Sequence, residues 1–79
     1  MRGASFRAVG GAVLTDHGAI GLAEARSLAV FYAREAAAFP EDSPAARLCA
    51  DRCRALAHAV VEASEWRRAA GWQDPDMAD

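Results

Sequence analysis

Lysine and asparagine are absent from the 79 residues, so all nine basic side chains are arginine. Both missing residues use A-rich codons, which points to a GC-rich gene. Arginine's planar guanidinium suits bidentate contacts at interfaces, so the surface is equipped for protein recognition. Aromatic residues are scarce, at 8% of the chain. The hydrophobic fraction is 53%, but about a quarter of the chain is alanine, which contributes little area per residue and favours close helix packing. The large side chains available for a core are Phe6, Val9, Val13, Leu14, Leu22, Leu28, Phe31, Tyr32, Phe39, Leu48, Leu56, Val60, Trp66 and Trp72. A chain this short buries only about 60% of the surface its unfolded state exposes. A deep substrate cavity within one copy is therefore not expected, and a partner or a second copy would supply missing core.

Long apolar runs are also missing. No stretch approaches the roughly 20 residues of a membrane span, and the first twenty residues lack the apolar core of a signal peptide. The expectation is a soluble, cytoplasmic protein with no membrane partner. A net charge of −2 argues against the dense positive stripe of a general nucleic-acid binder. Arg47, Arg52, Arg54, Arg67 and Arg68 are close in sequence, but acids interleave with them, so no direct nucleic-acid binding is expected. Walker, Rossmann and zinc-finger patterns are lacking. Gly10, Gly11, Gly18 and Gly21 are spaced for turns and a cap, with no basic anchor for a phosphate loop. Thr15, Asp16 and His17 adjoin at a turn, but three consecutive residues do not converge as a catalytic triad must. No enzyme activity and no cofactor are expected.

What is present reads as an α+β fold, mostly α, in a single small domain. "SFRAVGGAVLT" over 5–15 alternates loosely around Gly10-Gly11, a pair that supplies the positive φ angles of a two-residue hairpin turn. Phe6, Ala8, Val13 and Thr15 then share one face, with Arg7, Val9, Ala12 and Leu14 on the other. Two strands alone are marginal in water, so the hairpin must lie on a helix, gain a third strand or pair with another chain. "DHG" at 16–18 turns the chain. Helix 1 is predicted over 22–38, with Gly21 as N-cap and Pro40 forbidding continuation. At 100° per residue Leu22, Ala25, Leu28, Ala29, Phe31, Tyr32, Ala36 and Phe39 fall on one broad side, and Arg26, Val30 and Arg34 fall opposite.

Helix 2 is predicted over 44–70, from Ser43 as N-cap and Pro44 at the first helical position to a left-handed cap at Gly71, with Trp72 folding back on Trp66. It outruns helix 1, so part of it must project, or pack on the hairpin or on another subunit. The N-terminal β-hairpin packed on an antiparallel two-helix pair is the expected architecture, with 73–79 a mobile acidic tail and a homodimer possible.

"CADRCRALAH" at 49–58 raises the question of a metal. On the helical wheel Cys49 and Cys53 lie with Leu56 and Val60, while His58 lies on the opposite side, so the three cannot share one ion within a straight helix. The two thiols read as small buried apolar residues without a mutual disulfide. A four-thiol zinc site across a dimer is the alternative; no metal site is expected. The outer stripe carries Arg47, Asp51, Arg54, His58, Glu62, Glu65 and Arg68, with pairs such as Arg47 and Asp51 or Glu65 and Arg68 spaced for weak ion pairing. Such a stripe is ordinarily a solvated face. As a binding surface it comprises Asp51, Arg54, His58, Glu62, Glu65 and Arg68, joined by Glu41 and Asp42 ahead of the helix. Regularly spaced acids of this kind can occupy a groove built for a phosphate backbone.

In size, in the order of a hairpin followed by helices, and in this lack of a catalytic constellation, the chain resembles small phage-encoded inhibitors of the anti-CRISPR kind. The resemblance covers the whole chain and rests on no motif, so no individual residue is carried over. It implies binding to a larger ribonucleoprotein, a CRISPR surveillance complex, and prevention of target DNA recognition. The alternative is a self-associating structural or adaptor subunit of a bacterial or phage complex, motivated by the long alanine-rich second helix.

Overall fold

A computed structural model describes residues 6–71. Three short strands, β1 (Arg7–Val9), β2 (Ala12–Thr15) and β3 (Gly18–Ile20), are followed by α1 (Leu22–Ala38) and α2 (Pro44–Ala69). The strands form an antiparallel meander in the order β1-β2-β3. The fold is thus α+β and mostly helical, with the sheet and a packed helix pair in the expected order. The hairpin both lies on the helices and gains a third strand, two of the three supports the sequence allowed, and the strand follows the turn at 16–18. Its cause is Thr15, whose hydroxyl accepts the His17 N–H at 3.0 Å and donates to the Gly18 carbonyl at 2.8 Å. That clamps Asp16 and His17 into a tight turn. Gly18 then adopts a φ of 118°, open to glycine at no steric cost, and starts the return. Gly-Ala-Ile is too short, with one β-branched residue, to announce itself by alternation.

Only one glycine of the first turn has a positive φ, contrary to the pairwise expectation: Gly10, at 60°. This is the arrangement of a type II′ turn, with glycine at the first central position. Gly11 is needed for a different reason, developed below. The register sets Ala8 opposite Val13 and Val13 beside Ile20. With Phe6, these form the face turned to the helices: Val13 is fully buried, and Phe6, Ala8 and Ile20 pack around it.

Both helices begin and end for local reasons. α1 follows Gly21, whose carbonyl accepts the Ala25 N–H at 2.9 Å. It stops at Phe39, held extended at φ −91°, ψ 159°, because the ring of Pro40 excludes the helical region for the preceding residue. α2 starts at Ser43, whose Oγ accepts the Ala46 N–H at 3.1 Å and donates to the Pro40 carbonyl at 2.7 Å. One hydroxyl therefore caps the helix and ties down its loop. Ser43→Ala is expected to cost about 1 kcal/mol and to lower Tm by about 4–8 °C, while Ser43→Asp, which keeps the acceptor, recovers most of the loss; thermal unfolding by circular dichroism reads both. At the far end Gly71 takes the left-handed cap at φ 72° and donates its N–H to the Arg68 carbonyl at 3.2 Å. The Trp72 contact and the 73–79 tail lie outside the described residues.

α2 is the spine of the core. Leu56, Ala59, Val60 and Ala63 are buried against Leu22 and Ala25 of α1 and Val13 of the sheet. Several core candidates are on the surface instead: Val9, Phe31, Phe39, Leu48 and Trp66 are all partly or largely exposed. On α1 and α2 these residues sit at the edge of an apolar arc wider than one neighbouring element covers. The overhang of α2, 26 residues against 17 in α1, is covered within the chain. Arg67 Nε donates to the Gly11 carbonyl at 2.6 Å, and the Trp66 indole lies against Gly10.

Candidate functional site

The charged residues read from the sequence are all exposed, but they do not converge. Glu41 and Asp42 sit in the loop ahead of α2. The outer stripe then runs from Arg47 to Arg68, about 30 Å at 1.5 Å per residue. Its pairing differs from expectation. Asp51 pairs with Arg54, and His58 Nε2 lies 3.6 Å from Glu62 Oε2, in place of the Arg47–Asp51 and Glu65–Arg68 pairs. The i, i+3 and i, i+4 spacings permit either choice, and exposed pairs of this kind differ by only about a few tenths of a kcal/mol. Such a stripe can steer an approaching partner and set its register.

Cys49 and Cys53 are free thiols and only half-buried, less so than expected. Among the described residues, no three His, Cys, Asp or Glu side chains are grouped so as to hold a metal ion. Thr15 spends its hydroxyl inside the turn, which gives the Thr15-Asp16-His17 run a structural role. No helix among the described residues is long and apolar enough to cross a membrane.

A second surface was not singled out from the sequence. Tyr32 is its centre: Phe31 meets it edge-on at 5.5 Å between centroids, Phe6 reaches it at 6.1 Å, and the Arg52 guanidinium carbon lies 5.7 Å above its ring. Arg52 Nε is buried there without a hydrogen-bond partner. Phe31 is 52% exposed, Phe39 39% and Leu48, one turn before Arg52, 42%. Large aromatic and apolar side chains held half out of the surface beside an arginine have the composition of an interface hot spot. A signal for it existed: on the α1 wheel the apolar arc from Leu22 round to Phe31 spans about 180°, more than one packed neighbour can cover. The lower rim of this edge adjoins the acidic stripe, since Asp51 lies on the α2 turn between Leu48 and Arg52.

Comparison with protein-family models, curated proteins and solved structures finds no match for this chain.

Proposed function

We propose that the protein is a non-catalytic binding module that acts by covering a surface of a larger protein or ribonucleoprotein assembly, in its most specific form a CRISPR surveillance complex whose recognition of target DNA it blocks. The observation that carries the binding role is the aromatic edge: Phe31 half-exposed against Tyr32, and Leu48 half-exposed one turn before the Arg52 that sits over the Tyr32 ring. Burying such side chains on a partner removes apolar area from water at about 25 cal/mol per Å² and desolvates an arginine already seated on a ring. The neighbouring acids Asp51, Glu62 and Glu65 supply long-range complementarity to a positively charged groove, which raises the rate of encounter more than the final affinity. The CRISPR form of the reading rests on the overall resemblance in size and organisation, and the acidic stripe is the feature that such a target would meet.

The test uses a purified surveillance complex and a fluorescent target duplex. Adding the full chain is expected to abolish duplex binding at near-stoichiometric protein. Phe31→Asp/Leu48→Asp should weaken the inhibition more than Glu62→Arg/Glu65→Arg, which should act through the association rate and lose its effect at high salt. Undisturbed duplex binding at a large excess of the folded chain removes the CRISPR form. If a tagged chain then also retains no defined complex from a bacterial lysate that the Phe31→Asp/Leu48→Asp variant loses, the binding role falls with it.

A further inference from the structure

The helix pair has a second broad face, turned away from the sheet, and its charge differs from that of the rest of the molecule. The contacts fix which side is which. Tyr32 on α1 reaches Phe6 and Trp66 on α2 lies against Gly10, so these two mark the sheet side. At 100° per residue, Val30 and Ala33 on α1 point about 160° and 100° away from Tyr32, and Ala57 and Val61 on α2 about 180° and 140° away from Trp66. All four are exposed, the valines at 51% and 54%. They are exposed apolar positions on the side of the helix pair away from the sheet, and small side chains there let another helix axis approach to about 8 Å.

Arginines rim these positions. Arg26 and Arg34 of α1 and Arg54 and Arg68 of α2 are exposed and fall on the same side as the valines. Four acids lie toward the sheet side: Glu24 and Glu35 within about 80° of Tyr32, and Asp51 and Glu62 within about 60° of Trp66. Glu65, one turn beyond Val61 in the same row, stays on this face and offsets the adjacent Arg47. A chain of net charge −2 thus presents one locally basic apolar face. Arg54 is paired with Asp51 and Arg26 also has a contact of its own, but exposed contacts are held weakly and can be exchanged for a partner's carboxylate.

We propose that this face receives an acidic amphipathic helix of a partner protein, its apolar stripe on Val30, Ala33, Ala57 and Val61 and its flanking carboxylates against the four arginines. Charge complementarity selects this occupant. A second copy of the chain would bring one arginine rim against another, and a nucleic-acid backbone would set phosphates over apolar positions. The face is distinct from the aromatic edge around Tyr32, so this proposal and the inhibitor reading stand or fall by separate results.

The test is an NMR titration of the full isotope-labelled chain with a synthetic three-heptad helical peptide carrying leucine at its apolar positions and glutamate on both flanks, alongside a counterpart with lysine for glutamate. Amide shifts centred on Val30, Ala33, Ala57 and Val61 are expected with the glutamate peptide, with binding at least about tenfold weaker for the lysine peptide and for Arg34→Glu/Arg68→Glu. Affinity should fall as salt is raised. Both arginines are exposed, and the variant's own spectrum reports whether it stays folded. Equal binding of the two peptides, shifts elsewhere on the chain, or no shifts at millimolar peptide would overturn the proposal. A DNA duplex that shifts these residues when the glutamate peptide does not would transfer the face to nucleic acid.

Discussion

Replacing Leu56 by alanine is expected to remove most of the stability of the fold. Leu56 is fully buried at the point where α1, α2 and the sheet meet, and it is one of the two largest side chains so completely enclosed. Leucine-to-alanine changes in cores cost about 2–5 kcal/mol, the amount rising with the cavity that remains. Three of the other six buried residues of this cluster are alanines, Ala25, Ala59 and Ala63, whose methyl groups have no reach with which to fill a void. The cost therefore belongs in the upper half of that range. Domains of this length have total stabilities of about 4–12 kcal/mol, so the variant should unfold at least 15 °C or so lower, or fail to fold at room temperature. Leu48→Ala is the matched comparison. The same atoms are removed from a side chain 42% exposed, and the loss should stay below about 1 kcal/mol. Urea unfolding followed by circular dichroism measures both; equal losses would show that α2 is rotated from the orientation described.

The second large effect lies at the junction of sheet and helix, and its sign depends on context. A Cβ at Gly11 would stand 2.7 Å from both Cγ and Nε of Arg67. Because Cγ is near the root of the side chain, swinging the guanidinium aside does not relieve the clash. Arg67 must leave its rotamer and with it the 2.6 Å hydrogen bond from Nε to the Gly11 carbonyl. A partly buried hydrogen bond from a charged donor is worth about 1.5–3 kcal/mol, and Gly11→Ala should cost about that much. With Arg67 already replaced by alanine the clash and the bond are both gone. Gly11 does not have a positive φ, so alanine fits its backbone, and the substitution should then be neutral or stabilising by about 0.4–1 kcal/mol through the unfolded chain. A double-mutant cycle reads this change of sign directly. Additive losses would mean that Arg67 does not hold the turn.

The same residues show how far the fold was legible. The ends of both helices follow from local chemistry that one residue announces: Pro40 stops α1, Ser43 and Pro44 start α2, and Gly71 closes it. The inward face of the hairpin is likewise readable, since alternation around a glycine pair puts Phe6, Ala8 and Val13 together. β3 was not readable, because its existence depends on the Thr15 hydroxyl closing a turn and on β2 being available as a template. Gly11 looked like the second half of a turn signal, whereas it is glycine because an arginine 56 residues later occupies the space beside it.

The candidate surfaces divide in the same way. That Asp51, Arg54, His58, Glu62 and Glu65 face solvent follows from helical periodicity, which depends on sequence spacing alone. Their ion pairs did not follow, because neighbouring choices on an exposed helix differ by less than thermal energy. Nor did the aromatic edge. Periodicity places Phe31, Phe39 and Leu48 at the margins of apolar arcs, but whether a margin is covered depends on how wide the packed neighbour is and where it stops.

The sequence by itself determined the helices, their caps, the hairpin and the absence of a long apolar span, since each rests on interactions between residues a few positions apart. Only the tertiary structure decided which apolar side chains are core and which are surface, and that the overhang of α2 is covered by the chain's own turn. It also decided which side of the helix pair the sheet leaves uncovered. Those outcomes depend on the directions from which α1 and the sheet approach α2, and direction of approach is a property of three elements packed together that no single stretch of sequence encodes.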